Sequence, residues 1–417
     1  MDKTPEELYK ERLGRVEDAC QLKVPDRVPV LVRSGLFPAR YAGITSEEAY
    51  YGMDKWAAAS KRFTLDFQPD LAIPLAFTMT LPGSVLQALD VKQIKWPGHG
   101  VPSNDSFQFV EAEYMKADEY NAFLNDTTDW LIRQYLPRII GTLAPFATLP
   151  DLKILVFGYL AGAVTSVLST PEGVAALQSL LAAGSESMKW MMADYEFSQE
   201  LAKLGFPMFS GGSSLAPFDV ISDLLRGMRG AMLDMYRQPD KLLETCEKLL
   251  PLVTELGVTT AMMSGTPRVY IPLHRGDDTF MSLKQFETFY WPTLKKLICT
   301  LVDARLTPIA DFQGTYTSRL EHLLELPKGK VICQFDTTDL FKAKEILAGH
   351  LCIQGNVPSS LLQVGTQQEV KDCCKKLIDV VGKGGGYIMS PGCSLDYSKP
   401  ENVKAMFDFT REYGVYK

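Results

Sequence analysis

The stretch "IADFQGTYTSRL" (309–320) opens like a buried strand and turns polar at once. Asp311 and Gln313 stand two residues apart, which on a strand sets both side chains on one face. Such a pair could hold a metal ion, accept from a substrate hydroxyl, or hold only water. Similar groups close other apolar runs: His274, Arg275, Asp277 and Asp278 after "RVYIPL", Gln334 and Asp336 in "VICQFD", Gln354 and Asn356 in "CIQGN", and Cys393 in "SPGC". His274, one of four histidines, could protonate a leaving oxygen, ligate a metal, or simply cap a strand through Asp277 or Asp278. Asp311 could be a metal ligand, a general acid or an acceptor for a hydroxyl, or be satisfied by backbone N–H groups. Arg275 could anchor an anion or pair with its neighbouring aspartates. Gln313 and Gln334 suit amide recognition of a substrate, while Tyr316 could stack on an aromatic ring or pack in the core. Asp336 reads as a helix N-cap. Cys393 is either a metal ligand or a small residue in a tight turn.

These residues need elements that bring them together. The C-terminal half supplies five successive strand–helix units: strands at 268–274, 307–313, 329–336, 351–357 and 386–393, each followed by an amphipathic run. Near-continuous apolar strands with short connections to helices are the pattern of a parallel sheet covered on both faces. Upstream, "RVPVLV" (27–32), "DLAIPLAF" (70–77), "KILVFGYL" (153–160) and "GFPMFSG" (205–211) are further strand candidates. Together they predict an α/β chain folded as a (β/α)8 TIM barrel, with a helical N-terminal extension over 1–26 and no break in the single domain 1–417. The groups above then lie at the C-terminal ends of strands, where barrel enzymes place their chemistry. Gly349 and Gly382 are expected to stop helices in the left-handed conformation. "GKGGGY" (382–387) follows a helix rather than a strand, so it reads as a turn and not a phosphate loop.

Composition narrows the function classes. The 417 residues are 46% hydrophobic and 22% charged, with a net charge of -7. That is an ordinary enzyme's balance, and its field repels phosphate backbones, which argues against nucleic acid. No apolar run approaches the ~20 residues that span a bilayer. The N-terminus lacks a secretory core, and the eight cysteines form no CxxC pair, so a reduced, cytoplasmic setting is expected.

Taken together, "KVPDRVPVL", "CIQGNVPSSLLQVGTQQEVKDCCKKLID" and "GGGYIMSPGCSLDYSKPENVKAMFDFTREYG" resemble the uroporphyrinogen decarboxylase superfamily, on its corrinoid-dependent methyltransferase branch. The resemblance implies the same (β/α)8 barrel. A porphyrinogen decarboxylase needs several arginines for its polycarboxylate substrate. Here the corresponding early stretch is "RSGLFPARY", which keeps Arg33, Arg40 and Tyr41, and the stretch after the second strand, "IPLAFTM", has no acid. Methyltransferases of the branch pass a methyl group to or from the cobalt of a corrinoid (cobalamin) carrier protein, many with zinc held by a His-x-Cys and a late cysteine. The late cysteine matches Cys393, but the His-x-Cys position falls on Asp311-Phe312-Gln313.

"HRGDDTFMS", "FYWPTLKKL", "RLEHLLELPKGKV" and "GNVPSSLL" resemble the substrate-side methyltransferases of anaerobic aromatic O-demethylases, with Gln313 and Gln334 where Glu and His are expected. The resemblance therefore implies O-demethylation of a methoxylated small molecule, expected to be aromatic. The acceptor is the Co(I) corrinoid of a separate carrier protein, and a homodimer is a further possibility. His274 or Asp311 would donate the proton. Arg275, Gln313, Gln334, Tyr316 and Asp277 would bind substrate, and Cys393 is the remaining zinc candidate. Lyase chemistry on a small acid and a non-catalytic binding homologue are the rival readings.

Overall fold

A computed structural model describes residues 3–77 and 81–417. Its centre is a parallel sheet of six strands in sequence order: Gly212–Ser213, Arg268–Leu273, Thr307–Phe312, Ile332–Phe335, Cys352–Val357 and Tyr387–Pro391. Two extended segments close the ring. Segment 28–32 joins the last strand through a parallel bridge, Val30 to Met389, and through Leu31 N–H to Met389 O at 2.9 Å. Segment 70–73 joins it through Asp70 N–H to Val30 O, and reaches the 207–213 stretch through Ala72 N–H to Pro207 O and Phe209 N–H to Ala72 O. The result is the eight-stranded TIM barrel expected from the sequence.

The strands form because their alternate residues fill two different surroundings. One inward set, Leu31, Leu71, Phe209, Tyr270, Ile309, Ile332, Cys352 and Ile388, makes an apolar plug in the barrel. The N-terminal helix Pro5–Cys20 completes that plug with Val16, Ala19 and Cys20. Its sequence dictates this: Thr4 and Glu7 form a reciprocal capping box, Pro5 sits in the first turn, and Arg12, Arg15, Val16, Ala19 and Cys20 fall on one buried face. Arg15 ties the helix to the barrel floor through Asp26 and through Asp70, 1% exposed, at 2.5 Å; Arg27 joins Asp70 at 2.8 Å.

Several local expectations need correction. "KILVFGYL" is not a strand: Leu152–Val156 and Gly158–Leu160 are 3₁₀ turns, since no sheet edge is free to pair with them and Val156 is left exposed. Thr317–Glu325 is also 3₁₀ rather than α-helical. The cap of helix Leu340–Leu347 is Asp339, not Asp336. Gly349 does adopt a left-handed φ of +70°, but Gly382 does not; Gly384, Gly385 and Gly386 make the turn instead. Residues 78–80 of the loop that includes "IPLAFTM" lie outside the described residues.

Candidate active site

One step of two residues above the apolar plug, the inward positions become polar. Strand register sets Asp311 beside Gln334, and Gln334 beside Gln354. Asp311 is fully buried, and its Oδ2 accepts from Arg33 Nη1 at 2.6 Å, from Tyr270 Oη at 2.6 Å and from Gln313 Nε2 at 3.0 Å. Arg33 comes from the end of the first barrel segment. It also donates to Tyr270 Oη at 2.9 Å and to the Gly392 carbonyl at 3.4 Å. Gln354 Nε2 donates to Gln334 Oε1 at 2.9 Å. Three polar atoms of this layer are buried without a partner among the described residues: Asp311 Oδ1, Gln354 Oε1 and Arg33 Nε. Buried acceptors without donors are rare in finished cores, and where several gather they mark the place of a ligand or ordered water. Asp336, half-buried, stands close enough for the charges of Arg33 and Asp311 to act on it. Burial, offset in part by the Gly314 N–H, raises its pKa.

A second polar cluster lies at the mouth, where His274 and Arg275 leave their strand. The loop and π-helical turn after the Gly212–Ser213 strand, Val220–Leu225, supply two carboxylates four residues apart, Asp219 and Asp223. Asp219 is fully buried and anchors the turn: it accepts the backbone N–H groups of His274 (3.0 Å) and Arg275 (3.1 Å) and the Tyr290 hydroxyl (2.7 Å). Burial, reinforced by the charge of Asp223, pushes its pKa up to about 6. Asp223 meets His274 Nδ1 at 2.5 Å and Arg275 Nε at 3.0 Å. Burial opposes the imidazolium, but the hydrogen bond to Asp223 and the charges of Asp219 and Asp223 outweigh it, so His274 holds its proton above the ordinary histidine range. Its Nε2 has no partner among the described residues.

The remaining candidates fall in plainer places. Arg275 is occupied by Ser222 and Asp223. Asp277 accepts from Thr279 N–H and Phe280 N–H, closing its own turn, and Asp278 pairs with Arg319. Tyr316 is buried with its hydroxyl on the Leu273 carbonyl and its ring edge-on to Phe312, so it packs beneath the mouth rather than lining it. Arg40 stacks on Tyr397 and Tyr41 reaches Asp66, so of "RSGLFPARY" only Arg33 enters the barrel.

The site does not suit zinc. Asp311 already spends one oxygen on a guanidinium, a hydroxyl and an amide, and Cys393 Sγ lies 3.0 Å from Ser359 Oγ. Among the described residues no three His, Cys, Asp or Glu side chains converge, and amides are poor zinc donors. Sequence reading missed Arg33, Tyr270, Asp219 and Asp223 as parts of the site. Only the last pair had a local signal, two acids at helical spacing in the apolar "FDVISDLL".

No curated protein matches the chain. Among solved structures, a methyltransferase from Methanosarcina mazei aligns over 96% of this chain and 98% of its own, with a TM-score of 0.63 at 15% identity, which shows a shared fold. The uroporphyrinogen decarboxylase (URO-D) family model matches residues 165–413, from before the third barrel segment to the last helix, and the chain therefore belongs to the uroporphyrinogen decarboxylase family.

Proposed function

We propose that the protein is a methyltransferase that removes the methyl group of a methoxylated small molecule, with an aromatic ring expected, and delivers it to the Co(I) corrinoid of a separate carrier protein. The observation that carries this reading is the charge state of the polar layer. Its one cation, Arg33, is already matched by Asp311 at 2.6 Å, while Asp311 Oδ1 and Gln354 Oε1 wait for donors. Such a layer favours an uncharged ligand bearing hydroxyl or N–H groups and disfavours a polycarboxylate, whose desolvation would find no free cation to offset it. This separates the proposed substrate from a porphyrinogen.

In the proposed step Co(I) attacks the methyl carbon, the carbon–oxygen bond breaks, and its electron pair stays on the departing oxygen. The imidazolium of His274 supplies the proton, leaving methyl-Co(III) and a phenol. Asp223 keeps His274 charged, and Asp219 positions it through the backbone. Gln313, Gln334 and Gln354 orient the ligand, with Arg33 and Tyr270 fixing Asp311. Arg275, Asp277 and Tyr316 shape the mouth from behind. No step calls for Cys393 or a resident metal. The test is spectral: recombinant protein, a carrier poised as Co(I) and a panel of methoxylated phenols, followed for methyl-Co(III) and the matching demethylated product. Absence of methyl-cobalt with every donor, using a carrier shown to accept methyl groups from another enzyme, overturns the proposal. Family membership favours one second reading, decarboxylation of a small acid, which would show as CO2 release without corrinoid.

A further inference from the structure

At the end of the barrel away from the candidate active site, strand Arg268–Leu273 begins with a cation. Arg268 is 5% exposed, and its guanidinium donates from Nε to the Phe209 carbonyl at 2.8 Å and from Nη2 to the Met208 carbonyl at 2.6 Å. Those bonds use two of the five N–H donors that a guanidinium carries. Its Nη1 has no partner among the described residues. Of the described arginines no more than 5% exposed, Arg15, Arg226 and Arg319 each hold a carboxylate, and Arg268 alone holds none. A buried cation without a counter-ion is costly, and an apolar side chain would cover the plug at lower cost. Burial lowers the pKa of Arg268 from the ordinary arginine range, although the charge of Glu17 opposes this.

Arg268 lines a cavity of about 200 Å³ together with Glu17, Cys20, Thr307, Lys330 and Ile332, which is room for an oxyanion with its waters. The charges of Arg268 and Lys330 both act on the buried Cys20 thiol, so the two cations flank one space. Lys330 makes no ion pair among the described residues. The cavity adjoins a wider groove of about 660 Å³, which shares Gly329 and Lys330 with it and adds Lys23 and Lys328. Lys23 is loosely paired with Asp18 at 3.7 Å. On a chain of net charge -7, the two linings carry four cations against one acid, Glu17.

We propose that this cavity binds a small oxyanion, a carboxylate or phosphate group, held by Arg268 and Lys330. Such a group accepts from the free N–H donors of the guanidinium and supplies the counter-ion that the protein itself does not. The plug residues Ile309, Ile332 and Cys352 stand between the cavity and the layer of Asp311, so the ligand acts apart from the proposed methyl transfer. Its occupancy ties helix Pro5–Cys20, which supplies Glu17 and Cys20, to the strands that begin at Arg268 and Thr307. Glu17 and the carbonyls at that helix's C-terminus oppose an anion, which holds the Kd on the order of 0.1–1 mM.

Isothermal titration calorimetry of the full chain is the test, with sodium phosphate and sodium acetate as separate probes and sodium chloride holding the ionic strength constant. At least one probe is expected to saturate a single site with a Kd on the order of 0.1–1 mM. Lys330→Gln, a change at an exposed side chain, should raise that Kd by about 3–10-fold, and Glu17→Gln should lower it by about 3-fold, as the sign of each charge requires. Arg268→Met should abolish saturation while far-ultraviolet circular dichroism and tryptophan emission stay those of the wild type. Should that variant fail to fold, the two surface substitutions still decide the matter. Saturation by phosphate alone identifies a phosphate-bearing ligand, and saturation by acetate alone a carboxylate. Absence of a saturable site for both probes up to about 20 mM, or a Kd that neither Lys330→Gln nor Glu17→Gln moves, overturns the proposal.

Discussion

Replacing Asp219 by asparagine should change how the stability of this protein depends on pH. Burial and the charge of Asp223 raise the Asp219 pKa from 3.8 to about 6. Between those values the folded protein keeps a proton that the unfolded chain has released, so the folded state is favoured at the acid end. That stabilisation is fully present below about pH 4 and is lost as pH rises through 6. A shift of about two units, at ~1.4 kcal/mol per unit, makes the loss on the order of 3 kcal/mol. Asparagine cannot ionise, so Asp219→Asn lacks this loss. It keeps an acceptor for the His274 N–H and the Tyr290 hydroxyl, but it sets an amide N–H against the Arg275 N–H, a cost of about 1–2 kcal/mol that does not vary with pH. Urea unfolding of both proteins at half-unit steps from pH 4 to 6.5, followed by tryptophan fluorescence, separates the two effects. The stability difference should move in favour of the variant by about 2 kcal/mol across that range, the rest of the change falling outside it. Parallel curves, offset by a constant, would refute the reasoning and mean that Asp219 ionises in the folded protein as easily as in the unfolded chain.

Other perturbations test other joints of the structure. Asp70→Ala leaves Arg15, almost wholly buried, without its shortest ion pair and deprives Arg27 of a partner; unfolding experiments should record a loss of about 3–5 kcal/mol. Asp223→Asn keeps an acceptor for His274 Nδ1 but removes the negative charge that supports the imidazolium, so the alkaline limb of kcat/KM for demethylation should shift to lower pH, with turnover at pH 7 down by roughly 10²-fold. Gln354→Leu deletes an acceptor that has no donor within the protein. Hydroxylated ligands should bind about 10-fold more weakly, and stability should fall by about 1–3 kcal/mol because the buried Gln334 Oε1 loses the amide N–H it accepts.

The legible and illegible parts of this chain divide along physical lines. Strands 268–273, 307–312, 332–335, 352–357 and 387–391 were readable because strands covered on both faces are apolar throughout and each is followed by its helix. The same rule misled at 153–160: an apolar run forms a strand only where an edge is free to receive it, and this one stayed exposed as 3₁₀ turns. Within the site, period-two alternation correctly grouped Asp311 with Gln313, and Gln334 lies level with Asp311 on the next strand. Arg33 could not be found that way, since it meets Asp311 across 278 residues of chain and no local pattern encodes a contact at that separation. Asp336 reads by sequence as the cap of the helix that follows it. The fold chose Asp339, which left Asp336 near Arg33 and Asp311.

The balance of charge around the site bears on the role proposed for His274. Arg33 is matched by Asp311 and Arg275 by Asp223, while Asp219 and Asp336 add carboxyl groups with no arginine of their own. An oxygen leaving such a site as an anion would depart against negative charge in a poorly solvated space, so its release calls for a proton in the transition state. The benefit of that proton depends on the leaving group. A phenol with electron-withdrawing substituents carries its charge more easily and needs the acid less. His274→Ala should therefore slow demethylation of an electron-rich methoxyphenol by about 10²–10³-fold and that of a nitro-substituted one far less, so that logarithmic rate plotted against phenol pKa becomes steeper in the variant. Equal losses along the series would show that His274 holds the mouth in shape without transferring a proton, and would pass the acid's role to Asp311 or to water.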